Sequence, residues 1–583
     1  MTDAEILEAA RAWMADDPDP ETRAATERLI AAGDPQALRA CFGDRLEFGT
    51  AGLRGKIGPG PNCMNRALVR RVTAGLADHV LDAVPDAAER GVVIGFDGRV
   101  GSRVFAADAA RVLAGKGLPV WLHDEVCPTP QLAHAVTHLG TAAGVMVTAS
   151  HNPPQDNGYK VYWGNGAQIL PPHDGAISAA TDRVGATSEI AVPDLDGLRA
   201  EGRVRSVPDS VLRAYLDEVA ALRVHTEGEI EIVYTAMHGV GAKLLRQVMT
   251  EAGRTALHFV AEQEQPDGAF PTVKFPNPEE PGALDLAKAL AEKVGADVVI
   301  ANDPDADRLA VALPDATGTW KALNGNQIGV LLAADLLEHG PGEEAGRRMV
   351  ATSIVSSRML ETIAAEHGVA YADTLTGFKW IANAAIDHEA AGGRFVMGYE
   401  EALGYSVGSV VRDKDGVSAA LVLVDLAAWC KARGETLFDR LEALYRRYGY
   451  FASLQRSLVL PGETGAKRIA AIMDALRAEP PDTLGDKALT RVRDLLRGTD
   501  RDLSAGTDKA TTLPESNVLH FQYGPDLRVL ARPSGTEPKI KLYFEVRDVI
   551  GRDEALDDAA SRVGARVAEV ADELLARVKV VGA

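Results

Sequence analysis

The amino-acid sequence predicts an α/β fold of several domains, and three observations carry that prediction. Short apolar runs alternate with amphipathic segments over most of the chain. Three of those runs end in polar, chemically loaded loops. Past Tyr450 the alternation stops, and a helix-rich charged stretch with later strand-like runs replaces it. Strands alternating with helices build parallel or mixed sheets under helical layers. In such sheets ligands bind beyond the carboxyl ends of strands. A chain of 583 residues suggests about four domains.

Taken in order, the N-terminal part is predicted helical to about Leu38, and the Gly-rich stretch from Phe48 through Arg54 follows. The first α/β unit then has strands at Val92–Phe96, Val120–Leu122 and Gly144–Val147, with helices at Val104–Leu113 and Gln131–His138. A second unit repeats this order: strands Glu229–Tyr234, Leu257–Val260 and Asp297–Ala301, helices Ala242–Glu251 and Leu284–Glu292. The third starts near Asn326, and Arg348–Thr352 and Arg394–Met397 are its clearest strands. A charged, helix-rich stretch (Gly465–Arg497), two strand-like runs and a long amphipathic helix (Ala555–Val578) make a separate α+β domain. The expected domains are 1–215, 216–322, 323–448 and 449–583.

Composition narrows the functional classes. Lys+Arg total 62 against 83 Asp+Glu, a net charge of −21. That balance argues against a nucleic-acid or anionic-membrane surface, so a phosphate site must be a local island of positive charge. The four cysteines form no CxxC pair and are expected to be buried or incidental thiols of a reducing compartment. The first residues are acidic and amphipathic, unlike a signal peptide, and no apolar run approaches a membrane span. The expected location is cytoplasmic.

Four loops carry chemistry. After Gly144–Val147 the chain reads Thr148-Ala-Ser150-His-Asn-Pro-Pro-Gln-Asp-Asn-Gly-Tyr-Lys160. Its prolines stiffen the backbone, and Lys160 is expected on the same loop as the Ser150 hydroxyl. Such a loop displays a serine towards an anionic reactant, as nucleophile or as phosphate carrier. Asp303-Pro-Asp305-Ala-Asp307-Arg308 offers carboxylates at i, i+2 and i+4, which can converge on one hard divalent cation. An acidic surface turn is the competing reading, although this loop ends a buried strand. Arg532-Pro-Ser534-Gly535-Thr536-Glu-Pro-Lys539 suits an anion cradle; a polar hairpin turn would suit it equally. Gly398-Tyr-Glu400-Glu401-Ala-Leu-Gly404 sets carboxylates where sugar hydroxyls could donate, or forms a solvated turn. His151 and His238 are read as hydrogen-bonding loop residues. Gly-x-Ser-x-Gly, a P-loop and GxGxxG are all absent.

Together the motifs TASHNP, DPDADR, GYEEALG and RPSGTEPK, in that order, resemble the α-D-phosphohexomutase superfamily. The GTAGLRG, LTGFKW and RDKDG variants look closest to its phosphoglucomutase-2/phosphopentomutase branch. The resemblance implies four domains, three related α/β/α mixed-sheet domains plus a C-terminal α+β domain closing over a central cleft. It implies a phosphoserine at Ser150, and Mg²⁺ held by Asp303, Asp305 and Asp307 with the Ser150 phosphate as a further ligand. Arg54 and Lys160 would lie beside the transferring phosphate, with Lys160 the candidate general acid/base. Glu400, Thr376 and Gly377 would bind the sugar and Lys414 would help to hold it. Arg532, Ser534, Gly535, Thr536 and Lys539 would bind the non-reacting phosphate. Ala402 stands where many members have serine, which removes one hydroxyl contact to the sugar.

The activity so implied is interconversion of glucose 1-phosphate and glucose 6-phosphate, with phosphomannomutase or phosphopentomutase as alternatives. A catalytic hexose bisphosphate would be the activator and intermediate. The implied partners are small sugar phosphates, with no nucleic acid and no membrane, and the expected state is a monomer or weak dimer. A serine hydrolase or a non-catalytic sugar-phosphate-binding protein is the remote alternative; a hydrolase would leave the aspartate and Arg532 loops unexplained.

Overall fold

The computed structural model describes residues 1–47, 52–342, 345–460, 465–534 and 539–581. They fall into two compact units: Met1–Gly342 with Gly377–Gly434, and Glu343–Thr376 with Glu435–Ala583.

The first unit opens with helices Asp3–Asp16, Pro20–Ala32 and Pro35–Phe42, whose starts are written in the sequence. Thr2 forms a capping box with Glu5, while Asp19 and Asp34 cap helices that begin with proline. Ile6, Ala10, Leu38 and Phe42 give these helices their own small core.

The next sheet runs in the order Leu53–Lys56, Asp156–Trp163, Ala143–Val147, Val92–Phe96, Val120–Leu122, Val204–Ser206. Val92–Phe96 is parallel to both Val120–Leu122 and Ala143–Val147. Every residue of Val92–Phe96 and Ala143–Val147 is buried, the pattern of strands covered on both faces. Asp156–Trp163 then returns antiparallel to Ala143–Val147. Helices Arg66–Ala83 and Ser102–Gly115 contribute Leu68, Val72, Leu76, Phe105, Ala109 and Leu113 to the core of this layer.

The second sheet uses the same device. Ile232–Thr235 is parallel to Leu257–Phe259 and Val298–Ala301, and Ala310–Pro314 returns antiparallel to Val298–Ala301. In the third α/β region Arg394–Glu400 is answered by Gly404–Val407, again antiparallel. The serine, aspartate and glutamate loops are therefore three reversals of one kind, each at the carboxyl end of a buried strand. Helices Gly325–His339, Phe378–Ala390 and Gly416–Ala432 complete the unit.

In the second unit Arg348–Ser353 pairs in parallel with Ala370–Thr374. Its antiparallel sheet runs Tyr450–Val459, Lys539–Asp548, Leu527–Pro533, Leu519–Tyr523, Lys487–Asp494, Thr499–Asp502, Thr507–Ala510. Residues of helices Gly465–Ala478 and Leu556–Val581 join its apolar core.

Two expectations change. The stretch Gly465–Arg497 is helical only to Ala478; Pro480 and Pro481 stop the helix, and Thr483–Leu484 and Lys487–Asp494 are strands. The strand expected at Arg394–Met397 continues through Glu400. The cysteines are free: Cys63, Cys127 and Cys430 are buried and Cys41 is half-buried. A hydrogen bond with Cys63 lowers the Cys41 thiol to about 7, so these two thiols meet although they lie far apart in sequence. Among the described residues no helix is long and apolar enough to cross a membrane.

Candidate active site

Ser150 has φ +50° and is 1% exposed. A left-handed non-glycine residue costs energy and persists only where its surroundings over-determine it. Those surroundings are explicit. Thr148 Oγ1 donates to Asp97 Oδ2 at 2.7 Å and accepts from Ser150 N at 2.9 Å. The Arg99 guanidinium donates to four loop carbonyls: Ser150 at 2.7 Å, Asn152 at 2.5 Å, Pro153 at 2.9 Å and Asp156 at 3.0 Å. Asp97 in turn faces Arg99 at 3.5 Å and accepts from Ser102 Oγ at 2.6 Å.

The Ser150 hydroxyl donates to Asp303 Oδ2 at 2.6 Å and lies 3.1 Å from His151 Nδ1. Burial, with Arg308 and Arg54 nearby, holds His151 well below the ordinary imidazole range, so it is neutral. Asp303, Asp305 and Asp307 are all 0% exposed, and one oxygen from each comes within 4.8 Å of the others. Ala306, at φ +57°, turns the loop so that its three carboxylates share a side. Thr129 grips Asp305 twice, from N to the carbonyl at 2.9 Å and from Oγ1 to Oδ2 at 2.7 Å.

The electrostatics of this loop suit a cation. Burial, then repulsion from Asp305 and Asp307, drives Asp303 well above the carboxylate range. Burial would also raise Asp305, but the Lys160 ammonium together with side-chain hydrogen bonds, those of Lys160 and Thr129 among them, holds it well below. Asp305 Oδ1 and Asp307 Oδ1 are buried without a hydrogen-bond partner among the described residues. Unpaired buried carboxylate oxygens are costly, and three hard oxygens facing one point suit a divalent ion. The residues present therefore fit a metal.

Lys160 was expected on the serine loop; it lies instead in the strand Asp156–Trp163, opposite Met146. Its alternation, Tyr159 and Val161 on one side and Lys160 on the other, sends the ammonium to Asp305 Oδ2 at 2.7 Å and Asp307 Oδ2 at 2.9 Å. Burial works against its charge, but these two carboxylates raise its pKa, so it is an ammonium here. Lys414 extends the chain of charges, 3.1 Å from Asp307 Oδ2 and 3.0 Å from Asp413 Oδ1. Asp413 Oδ2 accepts from Tyr162 OH and Gln168 Nε2, both at 2.7 Å. Arg54, on Leu53–Lys56, pairs in register with Gly158 and reaches Asn152 Oδ1 at 3.5 Å. A Cβ on Gly158 would come within 2.5 Å of Thr148 O and 2.7 Å of Leu53 O. Glycine thus permits the close approach of the strands carrying Arg54 and Lys160.

Glu400 is the last residue of its strand and accepts from Gly377 N at 2.7 Å. Burial, then the neighbouring Glu401, raises its pKa. Arg308 Nη1 donates to Ala402 O at 2.7 Å, tying the glutamate reversal to the aspartate loop. Thr376 Oγ1 is buried without a hydrogen-bond partner among the described residues. In the second unit Arg532 lies on Leu527–Pro533 opposite Lys541, and Ser534 N donates to Lys539 O at 2.7 Å. Gly535 and Thr536 lie outside the described residues.

The structure thus brings Ser150, Arg54, Lys160, the three aspartates, Lys414 and Glu400 together within the first unit. Sequence reasoning missed Asp97, Arg99, Thr129 and Asp413. Asp97-Gly-Arg99 directly follows the buried strand Val92–Phe96, a signal equal in kind to that of the aspartate loop.

The site thus sets a buried serine against a carboxylate triad able to hold a cation, at reversals that end buried strands. Models of the phosphoglucomutase/phosphomannomutase family match along the chain: alpha/beta/alpha domain I at 45–187, domain II at 213–318, domain III at 324–448 and the C-terminal domain at 505–560. A Haemophilus influenzae protein named "Probable phosphomannomutase" is 42% identical, covering 83% of this chain and 93% of its own. The Homo sapiens phosphopentomutase is 37% identical, covering 93% and 92%. A solved phosphoglucomutase/phosphomannomutase family protein from Burkholderia thailandensis shares the fold, with a TM-score of 0.65 at 20% identity over 91% of this chain and 97% of its own. The chain belongs to the phosphoglucomutase/phosphomannomutase family and is a mutase-type isomerase.

Proposed function

We propose that the chain moves a phosphoryl group between the anomeric and terminal hydroxyls of a sugar monophosphate through phospho-Ser150. The observation that carries this reading is the 2.6 Å contact between Ser150 Oγ and Asp303 Oδ2. Once esterified, Oγ cannot donate that bond, and a phosphate near −2 would face three buried carboxylates. A divalent cation between them would offset that repulsion. Asp303, Asp305 and Asp307 would hold Mg²⁺, which would neutralise charge on the transferring group.

The chain's own residues do the rest. Arg99 and Thr148 hold the serine backbone, and Arg54 lies beside the loop to offset negative charge. Phospho-Ser150 gives its phosphoryl to the free hydroxyl of the sugar monophosphate; the sugar bisphosphate then returns its other phosphoryl to Ser150 Oγ. In the first transfer the sugar hydroxyl loses a proton and Ser150 Oγ gains one; the return transfer reverses this, and Lys160 is the candidate general acid/base for both. Glu400 accepts from sugar hydroxyls near Thr376 and Gly377, with Lys414 holding the ligand. Arg532, Ser534, Gly535, Thr536 and Lys539 take the non-reacting phosphate.

For the sugar, the names of the relatives favour the pentose and mannose alternatives over glucose phosphate. We take ribose 1-phosphate and ribose 5-phosphate as the leading pair, since the phosphopentomutase relative aligns over 93% of this chain. The test compares kcat/KM for ribose, mannose and glucose 1-phosphates on one preparation, with Mg²⁺ and catalytic hexose bisphosphate present. The highest value for ribose supports the reading; a higher value for mannose or glucose replaces it. Retained turnover in Ser150→Ala would overturn the mechanism itself.

A further inference from the structure

Well away from the serine loop in sequence, three metal-ligating side chains converge inside the first unit. His225 lies between helix Asp209–Ala220 and strand Ile232–Thr235; Asp335 and His339 are one turn apart on helix Gly325–His339. His225 Nε2 and His339 Nδ1 each lie 2.9 Å from Asp335 Oδ1. His225 is 4% and Asp335 0% exposed, while the His339 side chain keeps 32% of its surface open. The second oxygen, Asp335 Oδ2, is buried with no hydrogen-bond partner among the described residues. The Trp429 indole stacks on His225 at 4.6 Å and 24° and lies 4.9 Å from the His339 ring, fixing both imidazoles.

We infer that His225, Asp335 and His339 form a second metal site, for a borderline dication of the Zn²⁺ class. Two imidazoles and one carboxylate suit Zn²⁺, whereas Mg²⁺ prefers an all-oxygen set such as the aspartate loop. Tetrahedral ligands about 2.0–2.1 Å from zinc stand roughly 3.3–3.4 Å apart, so the 2.9 Å separations need to open by only a few tenths of an ångström. Binding requires each imidazole to present a lone pair at the contacting nitrogen, so the proton moves to the opposite ring nitrogen. The ion takes up the unpaired Asp335 Oδ2, enters from the open His339 side, and water there completes its shell. The site staples the segment entering the second sheet to the first helix of the third α/β region. Its role is structural and independent of the transfer chemistry.

The test uses chelator-treated whole protein in excess Mg²⁺, which fills the aspartate loop. Co²⁺ should give the visible absorption of a tetrahedral nitrogen-ligated ion, Zn²⁺ should displace it, and Zn²⁺ should raise Tm. His339→Ala and His225→Gln should lose the band, bind Zn²⁺ at least ~100-fold more weakly, and keep mutase turnover as proof of folding. No cobalt band, equal zinc affinity in the variants, or an unchanged Tm overturns the inference. So does a band that survives in His339→Ala but vanishes in Asp303→Asn, because the ion would then occupy the aspartate loop.

Discussion

Arg99 donates to the carbonyl oxygen of Ser150 at 2.7 Å, and the same guanidinium holds three further carbonyls of the loop. A planar fork can serve four acceptors at once; a lysine ammonium cannot. Arg99→Lys keeps the charge facing Asp97 but should free the loop. Loss of serine positioning should lower kcat by about 10²-fold with little change in KM. Wild-type turnover in this variant would show that the loop holds its shape without Arg99.

Lys160 bridges Asp305 and Asp307, so Lys160→Met should leave Asp305 without its ammonium and Asp307 with Lys414 alone. Breaking one side of a buried pair costs about 3–5 kcal/mol. Mg²⁺ should recover much of that loss by supplying the missing charge. Melting curves with and without Mg²⁺ should show a larger metal-dependent gain in the variant than in the wild type.

His123 is 8% exposed, and burial lowers its pKa from 6.5 to about 4. The unfolded chain therefore takes up a proton that the folded one refuses between these values. Stability contributed by the neutral ring is present above pH 6.5 and is lost as pH falls towards 4, by on the order of 3 kcal/mol. Urea unfolding across this window should fall less steeply in His123→Gln.

Cys41, lowered to about 7 by its hydrogen bond with Cys63, is half-buried. The thiolate is the nucleophile, so alkylation should label Cys41 first and its rate should rise through pH 7. Cys63→Ala should move that rise to higher pH, and peptide mapping would show it.

The legible parts of the sequence were those where one kind of force acts alone. Val92–Phe96 and Val120–Leu122 are short, apolar and bounded by turns, so their strands could be placed closely. The aspartate loop was legible because three anions at alternate positions have few other uses. Lys160 was harder: a lysine in a strand looks exposed until its partners are known, and both arrive from residues 145 or more positions away. Lys487–Asp494 hid its alternation under charges. Arg99 and Asp413 escaped because they act through backbone carbonyls or through another side chain, which leaves no spacing to read.

If Ser150 carries the phosphate as proposed, its left-handed backbone bears on which residue could replace it. Threonine offers the same hydroxyl and can be phosphorylated by the same chemistry. Its β-branch, however, disfavours φ near +50°. Ser150→Thr should therefore be nearly as inactive as Ser150→Ala, with the loop and not the hydroxyl at fault. Peptide mass analysis of that variant should find the substituted hydroxyl unphosphorylated after incubation with hexose bisphosphate. On that reading a torsion angle, and not the hydroxyl, would select among alcohols at this position.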